Sequence, residues 1–240
     1  MASLDATTQA RLLQVGDRID RAATAAGRDP RAIALVAVSK TFGAERIEEA
    51  LAAGQRRFGE NYLQEALAKI RRLARTEDGR HVEWHFIGPI QSNKTRELAQ
   101  NFDWIQSLDR LAIAQRLSAQ RPPSTPPLNV LLQINISGEP TKHGLAPAQA
   151  LELARQVLPL PGLRLRGLMA IPEAVTDPFK QRAAFARMRS LFDELQRALD
   201  QSGADLDTLS MGMSDDLEAA ILEGSTMLRI GTAIFGARTP

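Results

Sequence analysis

No cysteine occurs among the 240 residues, which excludes disulfides, thiolate nucleophiles and cysteine-ligated zinc and is compatible with a reducing compartment. Tyrosine is nearly absent as well, with Tyr62 the sole example. No stretch approaches the ~18 uninterrupted apolar residues of a membrane span, and the opening MASLDATTQARLLQ has no apolar centre of the secretory-signal kind. The expectation is a soluble cytoplasmic protein. A surplus of one charge sign is missing too: 30 Lys plus Arg stand against 28 Asp plus Glu. A net charge of +2 is no basic stripe of the sort nucleic acid attracts, so neither nucleic acid nor a membrane is an expected partner.

What is present is alternation. Short apolar runs suited to strands occur at residues 33–39, 57–59, 83–87, 104–108, 129–136, 164–170, 208–211 and 227–231. Between them lie segments of helical period at 44–53, 62–74, 92–101, 110–119, 147–158, 178–201 and 214–223. Strand and helix in strict succession imply right-handed βαβ units on a parallel sheet. Eight units in 240 residues predict an α/β protein, a single (β/α)8 TIM barrel spanning 1–240, with an amphipathic helix around Leu12, Val15, Ile19, Ala22 and Ala23 added at its start. An open doubly wound sheet is the alternative, but no G-x-G-x-x-G or G-x-x-x-x-G-K-[ST] follows any strand. The proline-rich RPPSTPP, 121–127, is too short for a domain linker, and KIRRLAR, 69–75, reads as a solvated helix face.

Barrels of this kind place their chemistry at the carboxyl ends of the strands. Strand one ends at Lys40. Side chains alternate along a strand, so Val36, Val38 and Lys40 share a face, and if Val36 points into the barrel, Lys40 points into its mouth. A partly desolvated amine is more readily neutral, as Schiff-base chemistry requires, although a surface lysine opening a helix explains the same residue. Asn61, after Gly59, is a natural N-cap for a helix beginning at Tyr62. His85 sits on one face of its strand with Glu83 and Ile87, where a hydrogen-bonded core histidine is as natural as a functional one. Ser210, Gly212 and Ser214 lead into a helix with Asp215 and Asp216 in its first turn. Arg229, Gly231 and Thr232 end strand eight. Free backbone N–H groups and hydroxyls near strands seven and eight suit a phosphate dianion, and strand eight closes against strand one. An aldehyde carrying a phosphate would answer both features.

VAVSKTF, FGENYLQEA, WHFIGPIQSNK, LRGLMAIP, LSMGMSDDLEAAI and STMLRIGTAIFGAR, in this order, resemble the pyridoxal phosphate homeostasis protein family from about Ile33 to Arg238. The resemblance implies the barrel of the fold-type III pyridoxal phosphate enzymes, as in the amino-terminal domain of alanine racemase. It implies pyridoxal 5'-phosphate as cofactor, an internal aldimine on Lys40, phosphate contacts from Ser210, Gly231 and Thr232, and Arg229 facing the pyridine nitrogen. Asn61 and His85 match positions lining the cofactor's side of the barrel. Lys142, in the loop SGEPTKHGL, is a candidate for cofactor entry or transfer. Gly43 departs from the family, where proline is common, and is expected to loosen the turn after Lys40.

The implied role is reversible carriage of pyridoxal phosphate within the cell by a monomer, with little or no catalysis and PLP-dependent apoenzymes as partners. An amino-acid racemase and a Schiff-base aldolase are the rival readings. Racemisation needs a second acid/base opposite the lysine. In alanine racemase a tyrosine from an extra domain supplies it, and the expectation here is that no such domain exists, leaving His85 as the one substitute.

Overall fold

The computed structural model describes residues 7–139, 143–173, 175 and 177–237. Eight parallel strands close in sequence order into a barrel: β1 (Ala34–Val38), β2 (Arg57–Glu60), β3 (Glu83–Phe86), β4 (Trp104–Leu108), β5 (Leu128–Ile134), β6 (Leu163–Ala170), β7 (Thr208–Ser210) and β8 (Met227–Ile230). The seam pairs β8 with β1, Val36 standing opposite Arg229. Around it run α1 (Thr8–Ala25), α2 (Ala44–Ala52), α3 (Leu63–Leu73), α4 (Thr95–Asn101), α5 (Leu111–Gln120), α6 (Ala150–Val157), α7 (Pro178–Leu199), α8 (Leu217–Leu222) and the four-residue α9 (Thr232–Phe235). The expected barrel and the added amino-terminal helix are both present. Observed elements differ from the expected ones mostly by one to three residues at their ends, where hydrogen bonding rather than apolar period decides the boundary.

Because α9 is short, α1 completes the helical layer beside it, packing on α2, α8 and α9. Its buried stripe is Val15, Ile19, Ala22 and Ala23, and full burial of a side chain such as Ile19 contributes about 1.5–3 kcal/mol. Arg18 ties the helix down through Glu218 at 2.7 Å and the Ser214 carbonyl at 3.0 Å. RPPSTPP forms a turn rather than a linker: Arg121 donates to the Ala99, Phe102 and Pro126 carbonyls.

Two cores result. The larger lies between strands and helices and takes the outward residues, among them Ala37, Phe58, Trp84 and Leu228. The smaller fills the barrel with Val36, Trp104, Leu131, Met169 and Met227, joined by buried His85, Gln106, Ser210 and Arg229. Gly167, at φ 145° in β6, makes room for this arrangement, since a Cβ there would stand 2.0 Å from the Thr208 carbonyl oxygen. Among the described residues, no helix is long and apolar enough to cross a membrane.

Candidate functional site

At the carboxyl ends of the strands a cavity of about 210 Å³ is lined by Lys40, Asn61, Ser214, Arg229, Gly231 and Thr232, with Val38, Ile87 and Ile171 among its apolar walls. Strand alternation accounts for the strand-borne members. Val36 is inside the barrel, so Val38 and then Lys40 continue the same face. Arg229 on β8 and Gly231 just after it do likewise, and a Cβ on Gly231 would come within 3.3 Å of the Val38 carbonyl oxygen.

The chain turns sharply at Lys40. The Phe42 N–H donates to the Ser39 carbonyl at 3.1 Å, which closes a turn with Lys40 and Thr41 at its centre. Thr41 has φ 69°, the positive value that a type II turn demands of its third residue and that glycine or asparagine normally supplies. For a β-branched residue this conformation costs about 1–3 kcal/mol and persists only where surroundings enforce it. They do so here. The Thr41 N–H donates to Glu65 Oε1 at 2.6 Å. Lys69 Nζ donates to the Ser39 carbonyl at 2.8 Å, to Glu60 Oε1 at 2.7 Å and to Glu65 Oε1 at 2.6 Å.

Lys69 therefore corrects the expectation of a solvated basic face. Arg71 and Arg72 are exposed, but Lys69 is only 5% exposed and Glu60 0%. Burial pushes the Glu60 carboxyl up from its usual range, with Lys69 pulling the other way. Neither residue stood out in sequence. The available signal was a charge at an apolar-face position of α3, beside Leu73 and Ala66.

Below the cavity a single-file hydrogen-bond chain crosses the barrel. Arg229 Nη1 donates to Ser210 Oγ at 2.6 Å, and Ser210 donates to Gln106 Oε1 at 2.7 Å. Gln106 Nε2 stands 2.9 Å from His85 Nδ1, and His85 Nε2 stands 2.8 Å from Glu83 Oε1. An amide NH₂ can only donate, so Nδ1 accepts and the ring N–H sits on Nε2, facing the carboxylate. Burial holds the His85 pKa down, opposed by Glu83, in keeping with a neutral ring. The ring stacks on Trp104 at 5.3 Å. Arg229 also donates to the Ala170 carbonyl at 2.8 Å; burial lowers its pKa to about 10, with Asp216 opposing, so it remains a cation at neutral pH.

The structure thus brings Lys40, Asn61, Arg229, Gly231 and Thr232 to one cavity and sets Ser210 and His85 beneath it, where both are fully buried. The single Ser210 proton is committed to Gln106. The hydroxyl that lines the cavity belongs to Ser214, whose Oγ accepts from the Ala233 N–H at 3.3 Å. Its signal in sequence was the GMSDD run. Asn61 is not a cap: α3 begins at Leu63 with Tyr62 at the N-cap, and Asn61 instead carries a buried Oδ1 that has no hydrogen-bond partner among the described residues. Its backbone is pressed against Gly88, where a Cβ would meet the Asn61 carbonyl oxygen at 2.1 Å. Asp216, expected in the first turn of its helix, precedes α8 and accepts from the Met213 N–H at 2.6 Å. Gly43 caps α2 with φ −70°, a value proline also adopts, so the turn is held at Thr41 rather than loosened at Gly43. Lys142 lies outside the described residues.

The alanine racemase N-terminal domain profile matches residues 12–239. A pyridoxal phosphate homeostasis protein of Pseudomonas aeruginosa is 58% identical over 95% of this chain and 94% of its own. The chain belongs to the pyridoxal phosphate homeostasis protein family. Another member of the family, from Escherichia coli K12, is 55% identical over 95% of both chains. PipY of Synechococcus elongatus, solved with PLP bound, superposes with a TM-score of 0.78 at 39% identity, over 91% of this chain and all of its own.

Proposed function

We propose that this protein binds pyridoxal 5'-phosphate reversibly at the barrel mouth, through the Lys40 amine, and serves to keep the supply of that reactive aldehyde in balance, with little or no catalysis of its own. The observation that carries the reading is one cavity shared by an amine, a guanidinium and the Gly231–Thr232 backbone at the start of α9. The donor set fits the cofactor. Ser214, Gly231 and Thr232 would hold the phosphate, Arg229 would face the ring, and the unpartnered Asn61 oxygen offers an acceptor beside it. When bound, the cofactor supplies an aldehyde carbon with which a neutral amine condenses, releasing water. The names of the family's members and the PLP-bound PipY support the same reading.

The residues around the cavity favour carriage over turnover. A permanent guanidinium facing the ring nitrogen disfavours its protonation, and an unprotonated ring is a weaker electron sink. His85 is no second base, because both of its nitrogens are engaged and the ring is buried. Tyr62 is exposed and lines a neighbouring groove instead of the cavity. The reading extends to a single barrel domain that works as a monomer in the cytoplasm and hands its cofactor to PLP-dependent apoenzymes.

The test is a spectrum. Protein incubated with pyridoxal 5'-phosphate should develop a visible absorption band that borohydride removes, leaving the mass label on Lys40, and Lys40→Ala should show neither. A colourless wild-type protein, or a label on another lysine, would overturn the proposal. Steady racemisation of an amino acid, lost in Lys40→Ala, would decide for the enzyme reading.

A further inference from the structure

We propose that Lys69, acting with Glu60 and Glu65, is the positioning residue that grips the backbone on both sides of Lys40 and so sets where its amine stands in the cavity. The inference rests on the reading of Lys40 as the cofactor-holding residue. Its geometry does not.

An ammonium has three N–H donors, and those of Lys69 meet three acceptors: the Ser39 carbonyl, Glu60 and Glu65. Two of these acceptors act on the residues flanking Lys40. The Ser39 carbonyl immediately precedes it, and the Glu65 oxygen that Lys69 holds also takes the Thr41 N–H, immediately after it. Glu60 adds a third hold, accepting from Ser39 Oγ at 2.6 Å with the oxygen it presents to Lys69. Both peptide groups of Lys40 are therefore fixed by one buried charge cluster rooted in β2 and α3.

Stability alone is a poor reason for such a cluster. Buried ion pairs do no better than well-packed apolar groups of the same volume, and their attested use is to specify one arrangement among several. The arrangement specified here is a left-handed threonine, a state that surrounding contacts must impose. Lys69 donates to the Ser39 carbonyl and to both carboxylates that hold the turn, and it does not line the cavity. It acts through the turn.

The experiment pairs two ligands. Pyridoxal 5'-phosphate needs both the amine and the phosphate seat, whereas pyridoxine 5'-phosphate, which has an alcohol in place of the aldehyde, needs only the seat. Lys69→Met should weaken the first by about tenfold or more, since an amine whose turn is no longer held must be ordered at the moment of capture, and leave the second within about twofold. In the ligand-free protein the Thr41 amide should exchange with solvent roughly tenfold faster, as its local opening becomes easier. Equal affinity for both ligands in mutant and wild type would overturn the inference. So would a parallel loss of both, which marks a fold-supporting lysine only. Should Lys69→Met not fold, Glu65→Gln serves: the same split at about threefold is expected, and no split overturns the proposal. If the wild-type protein fails to bind pyridoxal 5'-phosphate covalently, the functional reading falls, and Thr41 exchange still decides whether the grip exists.

Discussion

The two ends of the cavity are built by different means. At the amine end, position depends on side chains: a strained turn at Thr41 is held by Lys69, Glu60 and Glu65 reaching in from β2 and α3. At the opposite end it depends on backbone and on one hydroxyl, that of Ser214. Gly231 follows β8 directly, α9 starts one residue later, and Ala233 is pinned to Ser214. Backbone donors are fixed by the strand ladder and tolerate surface substitution, whereas a side-chain cluster answers to single replacements. On the proposed function, the difference makes covalent capture and anion binding separable, one tunable without the other.

The comparison breaks most visibly at the two serines. Ser214→Ala should weaken pyridoxal 5'-phosphate and pyridoxine 5'-phosphate together, by about tenfold or more, because a hydrogen bond to a charged group is worth about 1.5–3 kcal/mol. Ser210→Ala should have a smaller effect on both, since its proton already goes to Gln106. Titration calorimetry in which Ser210→Ala cost more than Ser214→Ala would reverse the assignment of the anion end.

A smaller effect concerns what lies beneath that end. The chain from Arg229 to Glu83 requires a neutral His85, whose folded pKa is held below the unfolded value of about 6.5. The unfolded state therefore binds the extra proton first. The resulting stability is complete above about pH 6.5 and drains away as pH falls through the folded value, at up to about 1.4 kcal/mol per pH unit. Glu83, its carboxyl pushed up by burial but held down overall by His85 and Arg57, adds to the same acid loss at lower pH. Denaturant melts of wild type and His85→Gln between pH 7 and 5 should show a slope in the first that is flatter in the second; identical slopes would remove His85 from the account.

The smallest expected effect sharpens the amine end. Gly43→Pro, at φ −70°, should stabilise the protein by about 0.4–1 kcal/mol through the unfolded chain, with ligand affinity unchanged. The Cβ it introduces meets only the movable end of Glu45. Altered pyridoxal 5'-phosphate affinity would show that the turn extends past Thr41 into the cap of α2.

Much of this was legible along the chain. Alternating apolar runs and helical periods predicted the barrel, and the two-residue repeat from Val36 to Lys40 predicted that those side chains share a face, leaving the structure to show that the face is the inner one. Those features are local: period and face are written in neighbouring residues. Ser210 and Ser214 were harder to tell apart, because both are hydroxyls in the segment that leads into α8, and only the register of β7 against β6 and β8 decides that Ser210 is buried in the chain to Gln106. The family blocks pointed to the candidate site without saying what holds it.

By itself, then, the sequence determined the order of elements and the closure of strand eight on strand one, and it set an amine and candidate anion donors on the two sides of that seam. Tertiary structure alone decided that Lys69 is buried rather than solvated, that Thr41 is left-handed, and that Arg229 is wired to Glu83 through three intervening side chains. The physical reason is range. Whether a charge can be buried depends on partners tens of residues away, such as the Ser39 carbonyl for Lys69, and those are brought together only when the chain folds.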